Sequence, residues 1–548
     1  MTQDVVFLGD KTLSLLTRNL NSELQRIGSR WHAVDSGYDT WLVAPLDSGS
    51  MLFRKDTAAW AFLLSPRVLE YVPDIEKQVE ATLARLAGLA TPPTVLFSSV
   101  FSDPISPMPL SSNLARQARA ARINERLLGF REAHPWFHVV DHVGLALQHG
   151  VNNLHDPRFE ANAQLYYSPT GTRHLTVLWL RALRALERPQ KKVCVVDLDN
   201  TLWGGILGED GAEGIQMADA GAGWAYRRFQ RSLLELRRNG VLLAVCSKNN
   251  SAEALEVLQS HPDCLLRPKD FAHIEIGWGL KSEALTRTAE KLSLGLDSFV
   301  FIDDSAQERD EVARVLPSVD VFPFPEDAHR LSSILSEFPG FDVLRQTDED
   351  LKRADAYQEE AQRKASQQDA ASPEEFYRSL DLRLDIFTAR MEQAARLHQL
   401  VLKTNQFNLT TQRLSPEEFR NLLSNPGYAV LGLRVADRFG DSGITGLAIV
   451  DKRDPGHWFV DNFLLSCRVI GRTVENAFVA WLLETARTAN AKEVLLRFAP
   501  SKRNEVARNF LQASGGAAVD AGSAWRFDVT RPDVLPQHFV RIDDTQVA

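Results

Sequence analysis

The stretch VCVVDLDNTLWGG, residues 193–205, opens with three valines and a cysteine in an unbroken apolar run. Such a run reads as a strand buried on both faces, the kind found in a parallel sheet. It ends in Asp197 and Asp199. Residues i and i+2 of an extended chain point to the same side. Both carboxylates can therefore converge on one phosphorus, one to attack it and the other to protonate the leaving oxygen. Two like charges so close need a cation, and Mg²⁺ prefers carboxylate oxygens.

Further apolar runs follow: VLLAVCS, CLLRP, SFVFIDD and VDVFPF, with helical stretches between most of them. Strands alternating with helices predict a parallel sheet over residues 186–344, with helices on both faces. Ligands in such sheets sit at the carboxyl ends of the strands. One run ends at Asp303 and Asp304, which extend the metal set of Asp197 and Asp199. Another ends at Ser247, a hydroxyl donor to phosphate oxygens. Lys281 opens a helix, where an ammonium joins an already anion-friendly helix start. About 45 residues separate the first strand from the second, room for a hairpin flap and one helix but not for a cap domain.

The order D-x-D-x-T, then Ser, Lys and an acidic pair, resembles the haloacid dehalogenase superfamily of phosphatases. The resemblance implies Asp197 as nucleophile and Asp199 as general acid and base. It implies Thr201, Ser247 and Lys281 as phosphate ligands, and Asp304, helped by Asp303, on the metal. DLDNTLWGGILGEDG, LRPKDFAHIEIGWGLKSEAL and GLDSFVFIDDSAQER resemble its FkbH-like branch more closely. Members of that branch load a glyceryl unit from 1,3-bisphosphoglycerate onto an acyl carrier protein in polyketide assembly. This chain departs from the pattern at Gly277, where the branch has Asn, and at Ser305-Ala306, where it has Asn-Pro.

Residues 376–548 read as another α/β unit, with an antiparallel meander and then the helix ENAFVAWLLETART. The turn Arg468–Thr473 before that helix carries Gly471 and would offer backbone N–H groups to a phosphate. With Asn504, Ala507 and Phe510 downstream, it resembles the acyl-CoA-binding core of GNAT acyltransferases. Arg468, Gly471, Arg472 and Asn504 are thus candidate phosphopantetheine contacts, with Asn405 and Gln406 as polar lining. Cys194 and Cys246 lie inside apolar strands and read as inert. Cys467 instead stands just before Arg468, Arg472 and a helix start, which favour thiolate. NFLLSCRVIGR and KTNQFNLTTQR also resemble FkbH-like proteins, so Cys467 is a candidate acyl carrier.

Residues 1–185 alternate strands and helices, and VVFLGDKTLSLL resembles the first block of SGNH-type hydrolases. Lys11 occupies the serine position, so this domain reads as a non-catalytic fold for docking or lidding. Residues 345–375 are polar without an apolar stripe and read as a solvated linker helix and a hinge.

The chain has 548 residues, a net charge of −9 and four cysteines without a Cys-x-x-Cys pair. Its acidity argues against nucleic acid as a partner. No run is long enough to span a membrane, and the first residues have no signal-peptide pattern, so a cytoplasmic setting is expected. The expectation is a multidomain α/β enzyme with Mg²⁺. Its partners are an acyl carrier protein and a phosphorylated three-carbon substrate. The competing expectations are a plain phosphatase of a small metabolite with a vestigial C-terminal domain, and a non-catalytic docking scaffold.

Overall fold

The computed structural model describes all residues except 1, 104–109, 347, 467, 502, 531–534 and 548. The chain forms two compact units, Met1–Ala354 and Asp355–Ala548. The first unit holds two parallel sheets. In the first sheet, β1 (Gln3–Leu8), β2 (Trp31–Asp35), β3 (Thr57–Phe62), β4 (Thr94–Ser98) and β5 (Phe137–Val140) run in the order β2-β1-β3-β4-β5. Along β1, Val5 and Phe7 enter one apolar core while Val6 and Leu8 enter another. That alternation is what burial on both faces demands of a strand.

The second sheet contains β6 (Val193–Val196), β7 (Leu242–Ser247), β8 (Phe271–Ile276), β9 (Phe299–Ile302) and β10 (Asp320–Val321), ordered β10-β9-β6-β7-β8. Every pairing is parallel. The VCVV run is therefore the central strand, fully buried. CLLRP, expected as a strand, is not one. There the Gln230 side chain accepts the N–H groups of Leu265 at 2.8 Å and Leu266 at 3.2 Å, and Pro268 starts a 3-10 turn. The third strand is instead FAHIEI, seven residues on.

Between β6 and β7 lie a short helix (Leu207–Gly214) and a longer one (Gly223–Arg238). Gly204 exchanges both backbone hydrogen bonds with Gln216, at 3.0 and 2.7 Å, which makes the expected flap. Gly205 turns that flap at φ +91°, and a Cβ there would meet Asp210 Oδ2 at 2.6 Å.

The second unit contains β11 (Arg383–Thr388), β12 (Phe407–Asn408), β13 (Tyr428–Asp437), β14 (Gly440–Asp451), β15 (His457–Leu465), β16 (Glu493–Arg497), β17 (Ala517–Val519), β18 (Ala524–Asp528) and β19 (Arg541–Gln546). They form one mixed sheet, β17-β18-β16-β15-β14-β13-β11-β19, with β12 added on β15. The β13-β14-β15 meander is antiparallel. Helix Val474–Thr488 buries most of its surface in this unit's core.

The polar segment expected to be a solvated linker is helix Arg353–Asp369. It is not fully solvated. Arg363 is buried and pairs with buried Asp437 at the end of β13, at 2.6 and 3.0 Å. Among the described residues, no helix is long and apolar enough to cross a membrane.

Candidate active site

The carboxyl ends of β6, β7 and β9 and the start of helix Lys281–Leu292 meet at one point. Lys281 is buried there, and its Nζ donates to Asp197 Oδ1 at 2.7 Å and to the Cys246 carbonyl at 2.7 Å. It also lies 3.0 Å from Asp303 Oδ2. Burial pulls the ammonium down, but Asp197 and Asp303 outweigh it and hold Lys281 above the ordinary lysine range. Burial, and then Asp197 beside it, pushes Asp303 up to about 6. The same two causes raise Asp304.

Carboxylate oxygens of Asp197, Asp303 and Asp304 lie within 4.8 Å of one another. Three carboxylates against one ammonium leave a formal deficit that one divalent cation fills. Asp303 Oδ2 is buried and makes no hydrogen bond, because Lys281 approaches it outside hydrogen-bond geometry. A buried oxygen left in this state is costly unless a ligand completes it. Oxygen donors, close spacing and excess negative charge fit Mg²⁺.

Asp199 was expected in the metal set, but its carboxylate is turned elsewhere. Oδ1 accepts from Trp203 Nε1 at 2.9 Å and from Leu207 N at 3.1 Å, and Oδ2 from Asn249 Nδ2 at 2.9 Å. Burial pushes Asp199 up, and the three donors offset this only in part. A raised carboxyl held rigidly suits a general acid. Oδ2, with one donor against two, has the room for a proton.

Thr201, expected on phosphate, is fully buried, and its hydroxyl accepts the Asp304 N–H at 3.2 Å. It joins the β6 and β9 loops rather than facing a ligand. Ser247 and Lys281 together line a cavity beside the cluster. Asn249 and Trp203 are the site residues that the sequence reading passed over. Trp203 stands within a quoted motif and Asn249 two residues past one, but a neutral donor carries no charge signature.

In the second unit, Cys467 lies outside the described residues. Gly471 N donates to Glu475 Oε1 at 3.2 Å, so the chain's own carboxylate occupies the place expected for a phosphate. Glu475 is buried, and burial raises it. Arg472 is buried as well, 2.7 Å from Glu360 and 3.5 Å from Asp437. Asn504 donates to the carbonyls of Asn408 at 2.9 Å and Ala499 at 3.0 Å, and accepts from Ser501 N at 2.8 Å. Asn405 accepts from Arg413 at 2.5 Å, and Gln406 is exposed. Neither Arg472 nor Asn504 is offered to a ligand.

The strands themselves explain Asn504. β15 and β16 pair only over His457–Val460 and Glu493–Leu496. Beyond that they separate, and Phe407–Leu409 fills the gap. Phe407 and Asn408 pair with Leu465 and Leu464. Leu409 N donates to Phe463 O at 3.0 Å, and its carbonyl accepts from Ala499 N at 2.9 Å.

In the first sheet, Lys11 is buried and lies 3.4 Å from Glu160, which Arg67 and His155 also contact. His142 is fully buried against Phe101 and accepts or donates at Tyr167 OH at 3.0 Å, while His174 stacks on His149.

No protein-family model matches the chain, and no curated protein matches it either. Among solved structures, the chain is similar to the N-terminal part of protein BF1531 from Bacteroides fragilis, which contains a phosphatase domain and is complexed with Mg. The two are 24% identical with a TM-score of 0.57, covering 63% of this chain and 95% of that one. A putative GNAT-family acetyltransferase from Desulfovibrio desulfuricans is 14% identical, with a TM-score of 0.21 over 27% of this chain and 99% of that one. Rv2747 from Mycobacterium tuberculosis, in complex with CoA and NLQ, is 13% identical, with a TM-score of 0.20 over 25% of this chain and 72% of that one. The first likeness establishes a common α/β fold across the larger part of the chain.

Proposed function

We propose that this protein is a Mg²⁺-dependent phosphatase whose reaction serves acyl transfer to a carrier protein. The observation that carries the phosphatase reading is the buried cluster of Asp197, Asp303 and Asp304 around Lys281. Mg²⁺, the ion of the BF1531 structure, would be held by those three carboxylates and would neutralise charge on the phosphoryl oxygens. Asp197 attacks phosphorus, the bond to the leaving oxygen breaks, and Asp199 gives that oxygen its proton. Water then attacks the aspartyl-phosphate, Asp199 takes back a proton, and inorganic phosphate departs. Lys281 and Ser247 hold the phosphoryl oxygens, and Trp203 and Asn249 fix the Asp199 carboxyl.

The acyl part of the proposal rests on the resemblance to FkbH-like proteins. Cys467 attacks the carbonyl carbon of a three-carbon acyl phosphate, phosphate leaves, and the acyl group passes to the thiol of an acyl carrier protein. The Gly471 turn has no role in it, since Glu475 already takes its N–H. That filled turn, with the filled gap between β15 and β16, favours a second reading as well, a phosphatase with an acyltransferase-like unit that no longer transfers.

Intact-protein mass spectrometry of the full chain with 1,3-bisphosphoglycerate and Mg²⁺ separates the two. A glyceryl-sized adduct, lost in Cys467→Ala, is the expected result. Phosphate release without any adduct decides for the second reading. In either case Asp197→Asn should lower multiple-turnover phosphate release on the order of 10³-fold or more, leaving at most the one equivalent per chain that acylation of Cys467 frees, and chelation of divalent ions should do the same until Mg²⁺ is restored. Multiple-turnover phosphate release that survives Asp197→Asn refutes the site.

A further inference from the structure

The cavity that shares Ser247 and Lys281 with the phosphoryl site is walled by the end of β8, the loop after it and the start of helix Lys281–Leu292. Its volume is about 160 Å³, room for a handful of water-sized groups. Glu275 and Arg287 stand on its wall as an ion pair at 2.8 Å. Arg287 is half exposed and has five N–H donors, of which Nε serves Glu275. Glu275 Oε2 also meets His273 Nε2 at 3.0 Å, and Glu283 lies 3.9 Å from Arg287 Nη1, so the guanidinium offers its Nη2 side as the spare cationic donor beside a carboxylate already held on both oxygens.

Trp278 stands on the rim, 80% exposed, between Gly277 and Gly279. An indole left in water forgoes the gain of burying a large apolar surface. A Cβ on Gly277 would meet nothing within 4 Å, so the tryptophan stands on a stretch without packing around it. Residues 277–280 are exposed throughout, and the described residues between β6 and β7 form only the flap and two helices.

We propose that this cavity is the subsite for the organic remainder of a short, acid-bearing phosphomonoester, and that Trp278 and Arg287 determine specificity. The inference rests on the phosphatase reading of Asp197. The phosphoryl group lies on Asp197, and the chain runs past Ser247 and Lys281. Its distal carboxylate meets Arg287, its hydroxyl meets Glu275, and the indole covers it from the open side. The tryptophan thereby does, with one side chain, what a cap domain does in a larger protein.

The test is steady-state hydrolysis by the full chain with Mg²⁺, comparing 3-phosphoglycerate with phenyl phosphate, which lacks a distal acid. Arg287→Met should lower the ratio of kcat/KM for 3-phosphoglycerate over phenyl phosphate by about tenfold or more, the worth of one charged hydrogen bond, with the loss in KM. Trp278→Ala should raise KM for 3-phosphoglycerate, and Trp278→Phe should restore most of it. An unchanged ratio in Arg287→Met, with unchanged KM in Trp278→Ala, overturns the subsite and leaves the Asp197 reading standing. A wild-type chain that hydrolyses neither ester overturns the Asp197 reading and the subsite with it.

Discussion

Lys281 is the residue on which the site's electrostatics turn. It is one buried cation held between Asp197 and Asp303. Removing one partner of a buried charge pair costs about 3 kcal/mol or more, because the other charge is left unpaired. Lys281→Met should therefore lower the urea midpoint markedly, and less so with Mg²⁺ present than without. An equal loss in both conditions would mean that no cation reaches the carboxylates. Asp197, Asp303, Asp304 and Lys281 were legible because each ends a strand or opens a helix, positions that an apolar run followed by a charge makes visible. Asp199's orientation was not legible. It depends on Trp203, Leu207 and Asn249, whose convergence is a matter of tertiary structure.

Among elements, strands with strong β-branched runs came through the sequence intact, and the weakest did not. CLLRP has apolar residues enough for a strand, but Gln230 on a neighbouring helix satisfies its backbone. FAHIEI is half-buried along all but its first residue at the sheet edge, a fainter pattern. The turn at Gly471 looked like an anion site for a sound reason, since helix starts attract negative charge. Here the negative charge is Glu475, two residues into the helix, and the sequence shows the acid without showing where it folds back. With the turn and the β15–β16 gap both filled, coenzyme A titrated into the full chain should bind no more tightly than about 1 mM by calorimetry. Micromolar binding would mean that Glu475 or the Phe407–Leu409 segment gives way.

At the scale of the whole molecule, buried titratable groups around the first sheet shape stability. Asp10 accepts from Ser65 N and Oγ, yet burial raises it from 3.8 to about 6. An acid raised on folding contributes stability that is complete below pH 3.8 and is lost as pH rises through 6. Across that window the loss sums to about 3 kcal/mol. His142 acts in the opposite sense. Burial lowers it from 6.5 to about 4, so its contribution is present above pH 6.5 and lost as pH falls through 4. Asp10→Asn should remove the first slope and leave the second, so that urea midpoints at pH 7 gain on those at pH 4.5 relative to wild type. A parallel pair of profiles would refute the assignment. The three-sheet architecture was readable from strand and helix alternation, whereas the border between the units was not. Polar composition placed a solvated connector at 345–375, but Arg363 within it neutralises Asp437 inside the second unit's fold. The second unit, Asp355–Ala548, therefore includes most of helix Arg353–Asp369 as well as the sheet. A gene fusion that joined at 376 would inherit the sheet and leave its counter-ion behind, whereas one that joined ahead of Arg353 would carry both.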